Sequence, residues 1–270
     1  CVIRGCVPKK LMVFASAFRD MPAEARAYGW DIADGSFDWG AFRSHLHGEL
    51  DRLEGVYRKL LQGSGVVIHD GRAVVQDAHT VRLSDGSTRS ARHILIAAGG
   101  HPERPDLPNA HLGMVSDDVF DMERLPASIL IVGGGFIACE MACILNGLGV
   151  KVTQIYRGAQ ILRGFDDEAR GLVAEAMQAR GIELHLGTNI VEMGPAGADH
   201  GAVGAGSDAA MGMPAQERTA PDAAATGGPV WVKTTNGREG VWDAVLFATG
   251  RRPNTNGLGL AEAGVAIGRR

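Results

Sequence analysis

Residues 128–158, SILIVGGGFIACEMACILNGLGVKVTQIYRG, read as strand, glycine turn, helix and second strand. Ile129 to Val132 is an apolar run without alternation, as in a strand covered on both faces, and the βαβ order belongs to a parallel sheet. Gly133-x-Gly135-x-x-Ala138 falls between the first strand and the helix. The first glycine permits a tight turn and the second lets backbone approach a pyrophosphate; Ala138 lets the helix pack close to the strand. With Phe136 and Ile137, which lie within the motif, these residues are candidate dinucleotide contacts.

The end of the second strand reads out the nucleotide. NAD sites place an Asp or Glu there, whose carboxylate holds the ribose 2′-hydroxyl. This sequence has Tyr156, then Arg157 and, six residues on, Arg163. Two guanidiniums and no carboxylate suit a 2′-phosphate, which favours NADPH over NADH; the alternative is a pair of ordinary solvated arginines. Glu140, in the first turns of an otherwise apolar helix, is costly unless it meets a cation. Cys139 and Cys143 read as small buried hydrophobes on that helix.

Outward from this core, residues 166–180 form an amphipathic helix capped by aspartates, followed by the strand IELHLG and strands near 230–234 and 243–248. Residues 195–228 are rich in Ala, Gly, Pro and Asp and cannot bury enough surface to offset their ordering entropy, so they read as a disordered insertion in a surface hairpin. Upstream, a helix follows Pro8 to about Asp20, where Met21-Pro22 breaks it. A longer helix is capped by Asp38 and ended by Gly63. GVVIHD, RAVVQD and HTVRLSDG read as short strands, and RHILIAAGG as a buried central strand leaving a domain. Residues 111–127 are a connection with one short helix capped by Ser116 or Asp117.

At 270 residues the chain has room for two domains. Its net charge of −4, with acids and bases interspersed, gives no electrostatic footprint for nucleic acid. No apolar run approaches the roughly 20 residues of a membrane span. Four cysteines are too few for a secreted disulfide scaffold of this size, which points to a reducing compartment, the cytoplasm.

The chain opens on CVIRGCVPKKL. The spacing of Cys1 and Cys6 is too wide for a C-x-x-C zinc half-site, and no matching second pair follows, leaving a staple, two bystander thiols or a redox pair. A disulfide across so short a loop stabilises by only about 2 kcal/mol. As a redox centre the pair makes more sense: Cys6 opens a helix beside Lys9 and Lys10, a setting that favours the thiolate. A nicotinamide hydride needs a flavin to reach a disulfide efficiently, so FAD is implied beside NADPH.

Together CVIRGCVPKKL, ILIAAGGHPERP, VGGGFIACE, YRGAQILRGFD and FATGRRPNTNGLGL resemble the glutathione reductase family of flavin disulfide reductases. The likeness covers nearly the whole chain outside the insertion. It implies an α/β fold in which a Rossmann-like NADPH-binding domain (residues 100–250) is inserted in a partial FAD-binding domain (1–99), to which residues 251–270 return. A chain opening on Cys1 then reads as cut from a longer one.

The resemblance also implies roles. Cys1 is the interchange thiol that attacks the substrate disulfide, and Cys6 is the thiol beside the flavin. Lys9 lies near the flavin and pairs with Glu140. Phe136 stands where the family usually has a tyrosine lid over the nicotinamide pocket. Arg157 and Arg163 match the 2′-phosphate arginines, and Gly250 belongs to the NADPH side. Ala98, Gly99 and Arg251 lie along FAD, Ala98 replacing a threonine. Tyr57 lines the site for glutathione disulfide, and the whole enzyme is a homodimer whose partner subunit supplies a general-acid histidine. VPKK, where relatives often read VPSK, leans towards glutathione or a glutathione conjugate. Other readings are a different disulfide such as trypanothione, or a fragment that binds NADPH without FAD or activity. The family's FAD fingerprint and its C-terminal His-Glu pair have no counterpart in this sequence.

Overall fold

The computed structural model describes residues 1–197 and 228–268. The expected insertion over 195–228 lies outside the described residues except at its ends. In chain order the elements begin with helices α1 (Cys6–Ala17), α2 (Met21–Ala27) and α3 (Trp39–Gly63). Short strands β1 (Ala73–Val75), β2 (Thr80–Leu83), β3 (Thr88–Ser90), β4 (Gly100–Pro102) and β5 (Met114–Val115) follow. Next come β6 (Ser128–Val132), α4 (Phe136–Gly147), β7 (Lys151–Tyr156), α5 (Asp167–Ala179) and β8 (Glu183–Leu186). The chain closes with β9 (Ile190–Pro195), β10 (Val230–Thr234), β11 (Glu239–Trp242), β12 (Ala244–Phe247) and β13 (Arg251–Pro253).

The chain divides into two compact units. The first comprises residues 1–51 and 103–250 and is built on a five-stranded sheet of order β5-β12-β6-β7-β8, every pairing parallel. Side chains alternate across β6. Ile129 and Ile131 enter one buried cluster with Ala138, Met141 and Leu145 of α4 and Met12 of α1. Leu130 and Val132 enter a second with Ile190, Met193, Val230 and Val232 of the antiparallel sheet β11-β10-β9. The strand is therefore apolar throughout because both its faces are covered. This is the α/β, Rossmann-like arrangement expected from residues 128–158.

The second unit comprises residues 52–102 and 251–270, with an antiparallel β1-β2-β3 meander and the β4–β13 pair. Val75 N–H donates to the Leu258 carbonyl at 2.8 Å, which ties the meander to the segment after β13. Residues 1–51, expected with the flavin domain, cluster with 103–250 because α1 packs on α4.

Several expectations change. GVVIHD and RHILIAA form no strands, and Val67 and Leu95 are 76% and 88% exposed. A central strand needs neighbours on both edges, and no strand pairs with either run among the described residues. Met21-Pro22 does not only break α1: with Pro22 in the first turn it starts α2. The connection over 111–127 holds two 3-10 turns, Ala110–Leu112 and Asp118–Asp121, and the edge strand β5. Asp38 does cap α3, its carboxylate accepting from Ala41 N–H at 3.0 Å.

Candidate functional site

Gly133 and Gly135 are glycines for different reasons. Gly133 is buried with φ +142°, and a Cβ there would stand 2.4 Å from the Ala248 carbonyl oxygen. That oxygen belongs to backbone held by an Ala248 N–H bond to Val132 at 2.9 Å, so it has no room to yield. Gly135 has ordinary φ −81°, is exposed, and a Cβ on it would meet nothing within 4 Å. The fold therefore sets no steric bar to a side chain at this position.

Gly135 is also the N-cap of α4, without a side-chain cap or an acidic residue in the first turn. The free N–H groups there and the positive end of the helix dipole suit a pyrophosphate. Phe136 follows, 58% exposed, with Ile137 half-buried and Ala138 fully buried against β6. These observations fit the dinucleotide that the sequence motif implies.

Tyr156 ends β7 beside this turn. A Cβ on Gly134 would lie 2.3 Å from its ring and one on Gly158 2.5 Å, so the phenol fills the space left by both glycines. Arg157 and Arg163 follow, both exposed, and neither guanidinium has a hydrogen-bond or ion-pair partner among the described residues. Free guanidiniums at the end of the second strand suit a 2′-phosphate. Gly250, φ +156°, lies beyond β12 in the same unit and is exposed.

Glu140 finds its cation: Lys9 Nζ lies 2.9 Å from Glu140 Oε1, with the two side chains 25% and 38% exposed. The bond links the first turn of α1, three residues after Cys6, to the second turn of α4. Removing the ammonium strands a carboxylate on an apolar helix. We expect Lys9→Met to cost about 1 kcal/mol, an amount discounted for solvent screening. Lys9→Met with Glu140→Leu should recover most of it, measured as a double-mutant cycle in urea.

Cys1 and Cys6 are exposed free thiols, Cys6 being the first residue of α1. Val7 N–H donates to the Cys1 carbonyl at 3.1 Å, closing the intervening loop. Gly5 permits this closeness, since a Cβ on it would lie 3.0 Å from Cys1 Cα and 3.6 Å from Cys1 Sγ. Arg4 pairs with Asp121 at 3.0 Å. Of the other cysteines, Cys139 is buried and accepts from Gln154 Nε2 at 3.6 Å, and burial pushes its thiol pKa up. Cys143 is exposed, contrary to the expectation that both are buried. Four residues turn it about 40° round the helix from Cys139, enough to leave the packed face.

The remaining candidates belong to the second unit. Ala98, with Arg72, Ala73, His101, Asn254, Asn256 and Leu258, lines a recess of about 420 Å³. That volume is within the range of small-molecule sites. Asn254 Nδ2 donates to the Ala98 carbonyl at 3.0 Å, and Asn254 N–H to the Gly99 carbonyl at 2.9 Å. Gly99, φ +68°, shapes this rim, and the Arg251 guanidinium donates to the Gly100 carbonyl. The polar side chains on this lining, Arg72, His101, Asn254 and Asn256, can hydrogen-bond a cofactor such as the FAD that the family uses. Tyr57, on α3, is 51% exposed.

Two supporting residues were not among the sequence candidates. Gln154, fully buried in β7, donates to the Gly133 carbonyl at 2.9 Å and so holds the turn; an amide amid an apolar strand was the available signal. Arg170, on α5, grips the loop between Arg157 and Arg163 and carried no sequence signal.

The family described as pyridine nucleotide-disulphide oxidoreductase matches residues 1–270. The chain is 41% identical over 267 residues to glutathione reductase of Burkholderia cepacia, covering 99% of this chain and 53% of that protein. It is 39% identical to the chloroplastic/mitochondrial glutathione reductase of Pisum sativum, with 99% and 43% covered. Thioredoxin reductase SEP1 of Emiliania huxleyi is 32% identical, with 99% and 50% covered. The chain thus spans about half the length of the curated relatives it matches. Among solved structures, the HOCl-induced flavoprotein disulfide reductase RclA from Escherichia coli superposes with a TM-score of 0.76 at 19% identity, over 100% of this chain and 52% of that one.

Proposed function

Since the chain belongs to the pyridine nucleotide-disulphide oxidoreductase family, whose cofactors are FAD and NADPH, we propose that it is the central part of an NADPH-dependent glutathione-disulfide reductase. In this reading residues 1–99 belong to a partial FAD-binding domain, 100–250 bind NADPH, and 251–270 return to the first. The whole enzyme is a cytoplasmic homodimer. The observation that carries the proposal is the 2.9 Å Lys9–Glu140 pair, which ties the helix opened by Cys6 to the helix opened by the glycine turn. The pair supports reading the two helices as parts of one electron relay.

Each residue then has a task. Gly135 and the N–H groups that follow it hold the pyrophosphate, and Arg157 and Arg163 hold the 2′-phosphate. Phe136 stands over the nicotinamide pocket. Lys9 and Ala98, Gly99 and Arg251 attend FAD, and Tyr57 lines the substrate site. Bound FAD would supply the exchange of an electron pair between the nicotinamide hydride and the cysteine pair. The Cys1 thiolate attacks one sulfur of glutathione disulfide and expels the first thiolate, which takes a proton. Cys6 then attacks the Cys1 sulfur, breaks the mixed disulfide, and releases the second. Two electrons have passed to the substrate, and Cys1–Cys6 is left oxidised.

Replacing both Arg157 and Arg163 by alanine is expected to weaken NADPH binding about a hundredfold, roughly 3 kcal/mol, with little change for NADH. Equilibrium titration with each nucleotide checks it. Turnover on the chain supplemented with FAD tests the activity itself. NADPH consumption with thiol release from oxidised glutathione supports the proposal. Faster turnover on trypanothione disulfide or on thioredoxin redirects the substrate, a choice that the thioredoxin reductase relatives make worth measuring. Nucleotide binding with no flavin retained and no turnover reduces this piece to a nucleotide-binding fragment.

A further inference from the structure

The loop between Arg157 and Arg163 is held at three points, two at the glycine turn and one at α5. At its entry, the Tyr156 ring occupies the space over Gly134 and Gly158, as described. At its exit, Leu162 N–H donates to the Gly134 carbonyl at 2.6 Å. Leu162 does so at φ +56°, a left-handed conformation costly for a branched, non-glycine residue. Such a conformation persists only where its surroundings hold it.

The third point is Arg170, on α5. Its Nε donates to the Ile161 carbonyl at 2.7 Å and its Nη2 to the Gln160 carbonyl at 3.2 Å. Its Nη1 pairs with Asp167, and the side chain is 14% exposed. Each of the three nitrogens donates to the protein and little of the side chain is exposed, so the guanidinium is committed to its own loop and helix. Ile161, whose carbonyl it holds, is fully buried. The grip falls on the two residues before Leu162, where a carbonyl rotation would release the left-handed turn and swing Arg163 away.

We propose that Arg170 is a positioning residue for nucleotide choice, setting the loop so that Arg157 and Arg163 meet the 2′-phosphate of a nucleotide held at the glycine turn. The inference rests on the NADPH reading above. Arg170 contributes no contact of its own to the nucleotide. Its effect falls on the part of binding that distinguishes NADPH from NADH.

The test is equilibrium titration of the full chain with NADPH and, separately, NADH. Arg170→Met is expected to weaken NADPH about tenfold and to leave NADH within about twofold, the size of coupling seen between residues of one network. Arg170→Lys, which reaches one carbonyl and not two, should fall between, and it carries the test if the methionine variant does not fold. In a chain already bearing Arg157→Ala and Arg163→Ala, Arg170→Met should change neither affinity. Equal weakening of both nucleotides, or an unchanged NADPH affinity, overturns the proposal. So does a full tenfold loss in the arginine-free chain, which would mean direct contact. If the unaltered chain binds NADPH and NADH alike, the nucleotide reading itself fails, and this inference with it.

Discussion

Gly135→Ala is expected to cost the fold no more than about 1 kcal/mol and to weaken NADPH binding about a hundredfold, roughly 3 kcal/mol. The backbone φ at Gly135 is ordinary and a Cβ there meets nothing within 4 Å beyond its chain neighbours, so folding loses little more than the modest N-cap preference for glycine over alanine. Pyrophosphate has much to lose. A methyl group at the open end of α4 takes the space through which phosphate oxygens reach the free N–H groups. Gly133→Ala behaves in the opposite way: with φ +142° and a backbone oxygen 2.4 Å from the new Cβ, it should cost roughly 3 kcal/mol of stability. Urea unfolding and NADPH titration on the two variants separate the effects. Equal stability losses in both would mean that Gly135 serves the fold and not a ligand.

The second large effect concerns the thiols. Incubated with excess oxidised glutathione, the reduced chain should close Cys1–Cys6 and release two glutathione thiols per pair. Cys6→Ser should stop at the Cys1–glutathione mixed disulfide with one thiol released, because the resolving sulfur is gone. Exposure of both thiols and the close approach of Cys1 to Gly5 support this. Mass spectrometry of the intact chain distinguishes the products. Stable glutathionylation of the unaltered chain at Cys1, without closure, would count against a redox pair. Cys139 should stay unmodified throughout, since burial keeps its thiol protonated.

Much of the nucleotide unit was legible from residues 128–158, because a glycine turn, a strand buried on both faces and an adjoining helix are local patterns. Glu140 announced its need for a cation from position alone, and Lys9 meets it. What depended on tertiary partners was harder to read. GVVIHD and RHILIAA have the composition of central strands, yet a strand exists only through its neighbours, and these runs pair with no strand among the described residues. Cys143 shares a helix with buried Cys139 and differs only by its angle to the packed face. Arg170 looked like any charged residue on an amphipathic helix; its role lies in reaching two carbonyls of another segment. The antiparallel sheet β11-β10-β9 was expected only as a hairpin carrying an insertion, and its third strand, β11, came with the structure.

Direct titration of the purified chain with NADPH and NADH tests the central claim, that the unit holding the cysteine-led helix is an NADPH site. Saturable binding of NADPH is expected, tighter than that of NADH by at least about tenfold, as one charge-assisted phosphate grip requires. Absence of binding, or equal affinity for the two nucleotides, would contradict it.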